Sequence, residues 1–101
     1  MNRLSIVTPA YNCENTIERT LYSIVGQTYS NWDMTIIDDM STDNTANVIN
    51  DFVERNNLKD KVRLISRKEK FGEVRNTLDI VKKTSAENII VRVDASDFIT
   101  D

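Results

Sequence analysis

Ile36-Ile37-Asp38-Asp39-Met40-Ser41-Thr42-Asp43-Asn44-Thr45 changes character midway. Its first half, with Met34 and Thr35 before it, is a β-branched run of the kind found in strands covered on both faces. Its second half is a string of Ser, Thr, Asp and Asn, whose side chains bond nearby backbone and start helices. A buried strand passing through acidic and hydroxyl residues into a helix start is the turn at the carboxyl end of a βα unit. In open parallel sheets that is the end where ligands bind.

The same rhythm extends in both directions. Leu4-Ser5-Ile6-Val7, Val62-Arg63-Leu64-Ile65 and Ile89-Ile90-Val91-Arg92-Val93 read as three further strands, the first ended by Pro9. Between the first two, Ile17, Leu21, Ile24 and Val25 fall on one side of a helix running from Asn15 to Gln27. Asn15 with Glu18 forms a capping arrangement, and Gly26 sits where that helix ends. A second helix starts at Ser41 or Asp43 and turns Ala46, Ile49, Phe52 and Val53 inward. A third runs from Glu73 to Lys83, with Val74, Leu78 and Val81 on one side. The alternation predicts a Rossmann-like α/β fold: a parallel sheet with right-handed crossovers, strand order 3-2-1-4 and helices on both faces.

With 101 residues there is room for one domain, and 40% hydrophobic residues in periodic segments argue against disorder. A net charge of −3 without a basic block disfavours nucleic acid as a partner. The single cysteine, Cys13, has no internal disulfide partner, and the absence of histidine removes zinc sites and His-based catalysis from this chain. No apolar stretch approaches the roughly 20 residues that span a bilayer, and no leader-like segment opens the chain. These features predict a reducing, cytoplasmic setting, with membrane association only through segments outside the chain.

The first strand leads into Pro9, Ala10, Tyr11 and Asn12, the second into Asp38, Asp39 and Asp43, and the fourth into Asp94, Ser96 and Asp97. Two acidic clusters thus converge on one sheet edge, where they repel unless a cation or hydrogen-bond donors join them. A hard divalent ion bridging a diphosphate suits such a site. Each residue also has a plainer reading. Asp43 caps the following helix; Asp38 either bonds loop backbone or serves a ligand; Tyr11 and Asn12 serve a ligand or the turn itself. Asp94, Asp97 and Asp101 form either part of the site or an acidic solvated tail, and Arg75 is either a ligand clamp or a surface cation. Nothing local requires Asp39.

Four of these segments, in order and with compatible spacing, resemble family 2 glycosyltransferases of the GT-A fold. They are Ile6-Val7-Thr8-Pro9-Ala10-Tyr11-Asn12, Gln27-Thr28-Tyr29 with Trp32, Ile36 to Thr45, and Val93-Asp94-Ala95-Ser96-Asp97. The resemblance implies that residues 1–101 are the nucleotide-sugar-binding part of such a domain, ending after the DxD-like motif. It implies that Pro9, Tyr11 and Asn12 line the nucleotide, with Tyr11 near a uracil whose imide N–H is accepted by Asp39. It further implies that Arg75 lies close to the nucleotide, and that Asp97, with Asp94 and Ser96 nearby, ligates Mn2+ or Mg2+ on the diphosphate. The reaction implied is transfer from a UDP-sugar to an acceptor hydroxyl of a glycan, lipid or protein, with inversion. The general base is expected beyond Asp101, so the chain by itself is expected to bind rather than catalyse.

The competing readings are a non-catalytic nucleotide-binding module or an inert fragment, and a receiver-type signalling domain. The second needs an acidic pair after the first strand, where Thr8 and Pro9 stand. A dinucleotide-binding domain lacks its glycine fingerprint, since Gly26 and Gly72 are the only glycines.

Overall fold

The computed structural model describes residues 3–26, 30–67 and 89–93. Along the chain these form β1 (Leu4–Ala10), α1 (Ile17–Val25), β2 (Trp32–Asp38), α2 (Thr45–Arg55), β3 (Val62–Ser66) and β4 (Ile89–Arg92). The four strands make one parallel sheet in the order β3-β2-β1-β4. This is the order expected from the alternation, and all four carboxyl ends lie along one edge.

Alternation along the strands sorts the side chains onto two faces. Ile6, Ala10, Trp32, Met34, Ile36 and Val62 join Ile17, Leu21, Ile24, Ile49 and Phe52 in the main core. Both described helices therefore cover one face, and they meet where the Tyr22 ring stands edge-on to Phe52, centroids 4.8 Å apart. The other face carries a smaller cluster of Val7 and Ile37, backed by Ile65 and Ile90. The third expected helix, over residues 73–83, lies outside the described residues.

Three local expectations need correction. Pro9 does not end the first strand; β1 runs through it to Ala10, with Pro9 opposite Ile37. Residues of a parallel strand address their two neighbours alternately, and Val7 O accepts from Val93 N on the β4 side. Pro9 turns its missing donor to that same side, beyond the last β1–β4 pair, Val7–Arg92. Asn15 and Glu18 do not cap α1, which begins after Thr16 without a side-chain cap. Its first turn is held instead by Cys13 O, which accepts from Thr16 N and Ile17 N. Val25 is not inward; it is exposed, while Ile17, Thr20, Leu21 and Ile24 form the buried stripe.

α2 begins four residues after Ser41, at Thr45, and buries Thr45, Ile49 and Phe52, whereas Ala46 and Val53 are half-buried. Its carboxyl end closes with Asn57 at φ 55°. There Leu58 N donates to Val53 O and Asn57 N to Glu54 O, the bonding of a Schellman end, and Leu58 packs onto the core.

Candidate functional site

At the carboxyl edge of the sheet, the turn after β1 (Tyr11 to Thr16) lies against the turn after β2 (Asp39 to Asn44). Parallel pairing brings them together: Ala10 is opposite Asp38, and Asp39 N donates to Ala10 O at 2.9 Å just past the last pair. Beyond that point side chains of one turn bond the backbone of the other. Asn12 N donates to Ser41 Oγ at 2.9 Å, and Thr42 N donates to Asn12 Oδ1 at 2.7 Å. Cys13 N donates to Thr45 Oγ1 at 2.9 Å, and Glu14 N to Asp43 Oδ2 at 3.3 Å.

These bonds give several acidic and hydroxyl residues a structural task. Asp43 also accepts from the backbone N–H of Thr45 and from its hydroxyl. The cap position of α2 is Asn44, so Asp43 does not cap the helix as expected but bonds its first residue from one position before the cap and holds the neighbouring turn as well. Donation from the Thr45 hydroxyl, helped by backbone N–H groups, holds the Asp43 carboxyl below the usual carboxylate range. Asp38, buried, accepts from Ser41 N at 3.1 Å, so of its two readings the loop-backbone bond is present. In the sequence Ser41 stood only as one of two starts for the second helix, and Thr42 and Thr45 had no assigned role. The available signal was their type, since Ser, Thr and Asp bunched after a strand often bond backbone.

Asp39 has only 4% of its surface exposed, whereas Tyr11 is 46% exposed and Met40 47%. The site thus offers a carboxylate set deep between two turns and two large side chains at its rim. Pro9 is buried beneath the first turn, and Asn12 is exposed at its tip. Of the expected site residues, the structure brings together Pro9, Tyr11, Asn12 and Asp39. Arg75, Asp94, Ser96 and Asp97 lie outside the described residues. Among the described residues no three His, Cys, Asp or Glu side chains group as a cation site. Cys13 is half-buried beside this turn, and desolvation there pushes its thiol pKa up.

An open groove of about 880 Å³ lies at the opposite, amino-terminal end of the strands, bounded by Arg3, Asp33, Lys61 and Arg63 among others. Three of its charges are engaged within the chain. Arg3 pairs with Asp33 at 2.8 Å, and Lys61 donates to Ser30 O while lying over the Trp32 ring. Size does not make it the better site, because the acidic residues that bound it, Asp33, Glu54 and Asp60, are not buried, whereas Asp39 is.

Known proteins share this fold. The mannosyltransferase PcManGT from Pyrobaculum calidifontis, solved in complex with GDP-Man and Mn2+, superposes with a TM-score of 0.83 at 25% identity, over 95% of this chain and 28% of that one. An uncharacterized glycosyltransferase of Haemophilus influenzae is 33% identical over 94 residues, 93% of this chain and 28% of the relative. UDP-Glc:alpha-D-GlcNAc-diphosphoundecaprenol beta-1,3-glucosyltransferase WfgD of Escherichia coli is 48% identical over 42 residues, 42% of this chain and 17% of the relative. The chain therefore spans less than a third of the length of these proteins. Residues 5–101 match the family described as Glycosyl transferase family 2, and with the parallel sheet and its paired turns beneath that match, the chain belongs to this family.

Proposed function

We propose that the chain is the donor-binding part of an enzyme that transfers a sugar from a uridine diphosphate sugar to an acceptor hydroxyl, with inversion at the anomeric carbon. The observation that carries this reading is the buried Asp39 carboxylate set beside the half-exposed Tyr11 on two interlocked turns. A uracil offers a flat apolar face and an imide N–H. Tyr11 suits the first, and Asp39 suits the second through a charge-assisted hydrogen bond. Pro9 and Asn12 shape the turn that presents Tyr11. The E. coli relative's name states a UDP-Glc donor and a lipid-diphosphate-linked acceptor, and the P. calidifontis structure holds GDP-Man. Base choice in this chain therefore rests on Asp39 and Tyr11 rather than on kinship.

Asp97, with Asp94 and Ser96 beside it, is the proposed holder of Mn2+ or Mg2+. Its oxygen donors suit a hard ion, which when bound supplies positive charge to the departing diphosphate. The mannosyltransferase structure with Mn2+ supports a divalent ion in general. Arg75 is proposed to add charge near the nucleotide. The acceptor is a hydroxyl of a glycan, lipid or protein, and its general base is a carboxylate beyond Asp101. No described helix is long and apolar enough to cross a membrane. The proposed place of action is the cytoplasm, at the inner membrane face where the acceptor is lipid-linked.

Titration calorimetry of the chain with UDP tests the reading. Asp39→Ala is expected to weaken binding by about 1–3 kcal/mol, the loss of a buried hydrogen bond to a charged group. Unchanged affinity in a folded variant would remove Asp39 from the site. Chelator is expected to lower affinity for UDP far more than for uridine, with Asp97→Asn reproducing its effect. Equal UDP binding under both conditions would overturn the metal assignment.

A further inference from the structure

We infer that Met40 is a specificity-determining contact of the donor site, a second apolar surface for the nucleobase opposite Tyr11; this rests on the uridine-nucleotide reading above. Three non-glycine residues among those described have left-handed φ: Asn12 at 47°, Met40 at 63° and Asn57 at 55°. Two are asparagine, a residue that tolerates this region. Asn57 sits in the Schellman end of α2, and Asn12 fastens Thr42 through its side chain.

Met40 has no such explanation. Its Cβ crowds the backbone in this conformation, a cost that glycine would avoid. Its side chain has no strong hydrogen-bonding group, and at 47% exposure it gains little from burial within the chain. The turn itself therefore does not call for methionine. A contact made only when a ligand is present would offset the cost, and strained residues at binding sites commonly persist in this way.

The position names the ligand group. Asp39 N bonds Ala10 O, and Asn12 N bonds Ser41 Oγ, each at 2.9 Å. Between those two cross-links each turn has a single residue, Tyr11 on one and Met40 on the other. The two half-exposed side chains are thus held at the same level of the rim, next to the buried Asp39. An aromatic ring and a polarizable thioether carried side by side on one rim suit a flat heteroaromatic ring. A pyrimidine whose polar edge reaches Asp39 meets that description.

Calorimetry with uridine and UDP in the presence of Mn2+, together with thermal unfolding, tests the inference on the whole chain. Met40→Gly is expected to raise Tm by about 2–5 °C through relief of the backbone. It is expected to weaken uridine binding by about 2–10-fold, the size of a sulfur–aromatic contact. Met40→Leu, which keeps an apolar chain of similar length, is expected to hold affinity within about twofold. A folded Met40→Gly that binds uridine as tightly as the wild type overturns the contact while leaving the donor-site reading intact. A Met40→Gly less stable than the wild type overturns the argument from backbone cost. A wild-type chain that binds neither uridine nor UDP overturns the donor-site reading, and this contact with it.

Discussion

Asn12 Oδ1 accepts the backbone N–H of Thr42 at 2.7 Å across 30 residues of chain, while Asn12 N donates to the hydroxyl of the adjacent Ser41. The bond pair is reciprocal. One asparagine thereby fixes the relative height of two turns that carry Tyr11 on one side and Asp39 and Met40 on the other. The left-handed φ of Asn12 aims its own N–H and side chain at the same partner turn. Site geometry in this family member thus depends on a residue whose acceptor oxygen is already used inside the protein.

Replacing Asn12 separates its two contributions. Asn12→Ala loses the acceptor for Thr42 and places a Cβ-bearing residue without a compensating side chain at φ 47°, so a loss of about 1–2 kcal/mol is expected. Asn12→Gly loses the same acceptor but keeps the conformation, and about half that loss is expected. Urea unfolding of the two variants measures the difference. Equal losses would mean that the backbone conformation costs alanine nothing here.

Thr8 offers the opposite case. Its side chain is fully buried, and Oγ1 has no hydrogen-bond partner among the described residues. A buried hydroxyl left without a partner is destabilising, while valine fills nearly the same volume in a strand. Thr8→Val is therefore expected to be neutral or to stabilise by up to about 1 kcal/mol. Chemical denaturation decides, and a clear loss of stability would reveal a hydrogen bond or bound water at Oγ1.

Asp43 couples the two turns to pH. Its native pKa lies below the ordinary 3.8, chiefly because the Thr45 hydroxyl donates to the carboxylate, with the N–H groups of Thr45 and Glu14 adding to this and desolvation opposing it. Near pH 4 the unfolded chain then binds more protons at this position than the native one. The stabilisation is present above the unfolded value and is lost as pH falls through the native one. Between about pH 5 and about pH 3 the urea midpoint of the wild type should fall more steeply than that of Asp43→Asn. Parallel curves would show that Asp43 makes no linked contribution.

The sequence by itself determined the strand–helix alternation, the strand order, the sheet edge at which Pro9, Tyr11, Asn12 and Asp39 gather and most of the inward helix positions, Ile17, Leu21, Ile24, Ile49 and Phe52 among them. Hydrophobic periodicity and chain connectivity express themselves over a few neighbouring residues, and the crossover rule converts them into topology. What Asn12, Ser41, Asp43 and Thr45 do was decided only in three dimensions. Their partners lie about 30 residues away, across two parallel strands whose register sets which amide meets which oxygen. Pro9 within β1 had the same origin, because its missing donor lies past Val7–Arg92, the last β1–β4 pair among the described residues. The left-handed Met40 was likewise invisible in composition, since a methionine is read as apolar wherever it stands and its backbone angle is imposed by the two bonds that bracket its turn.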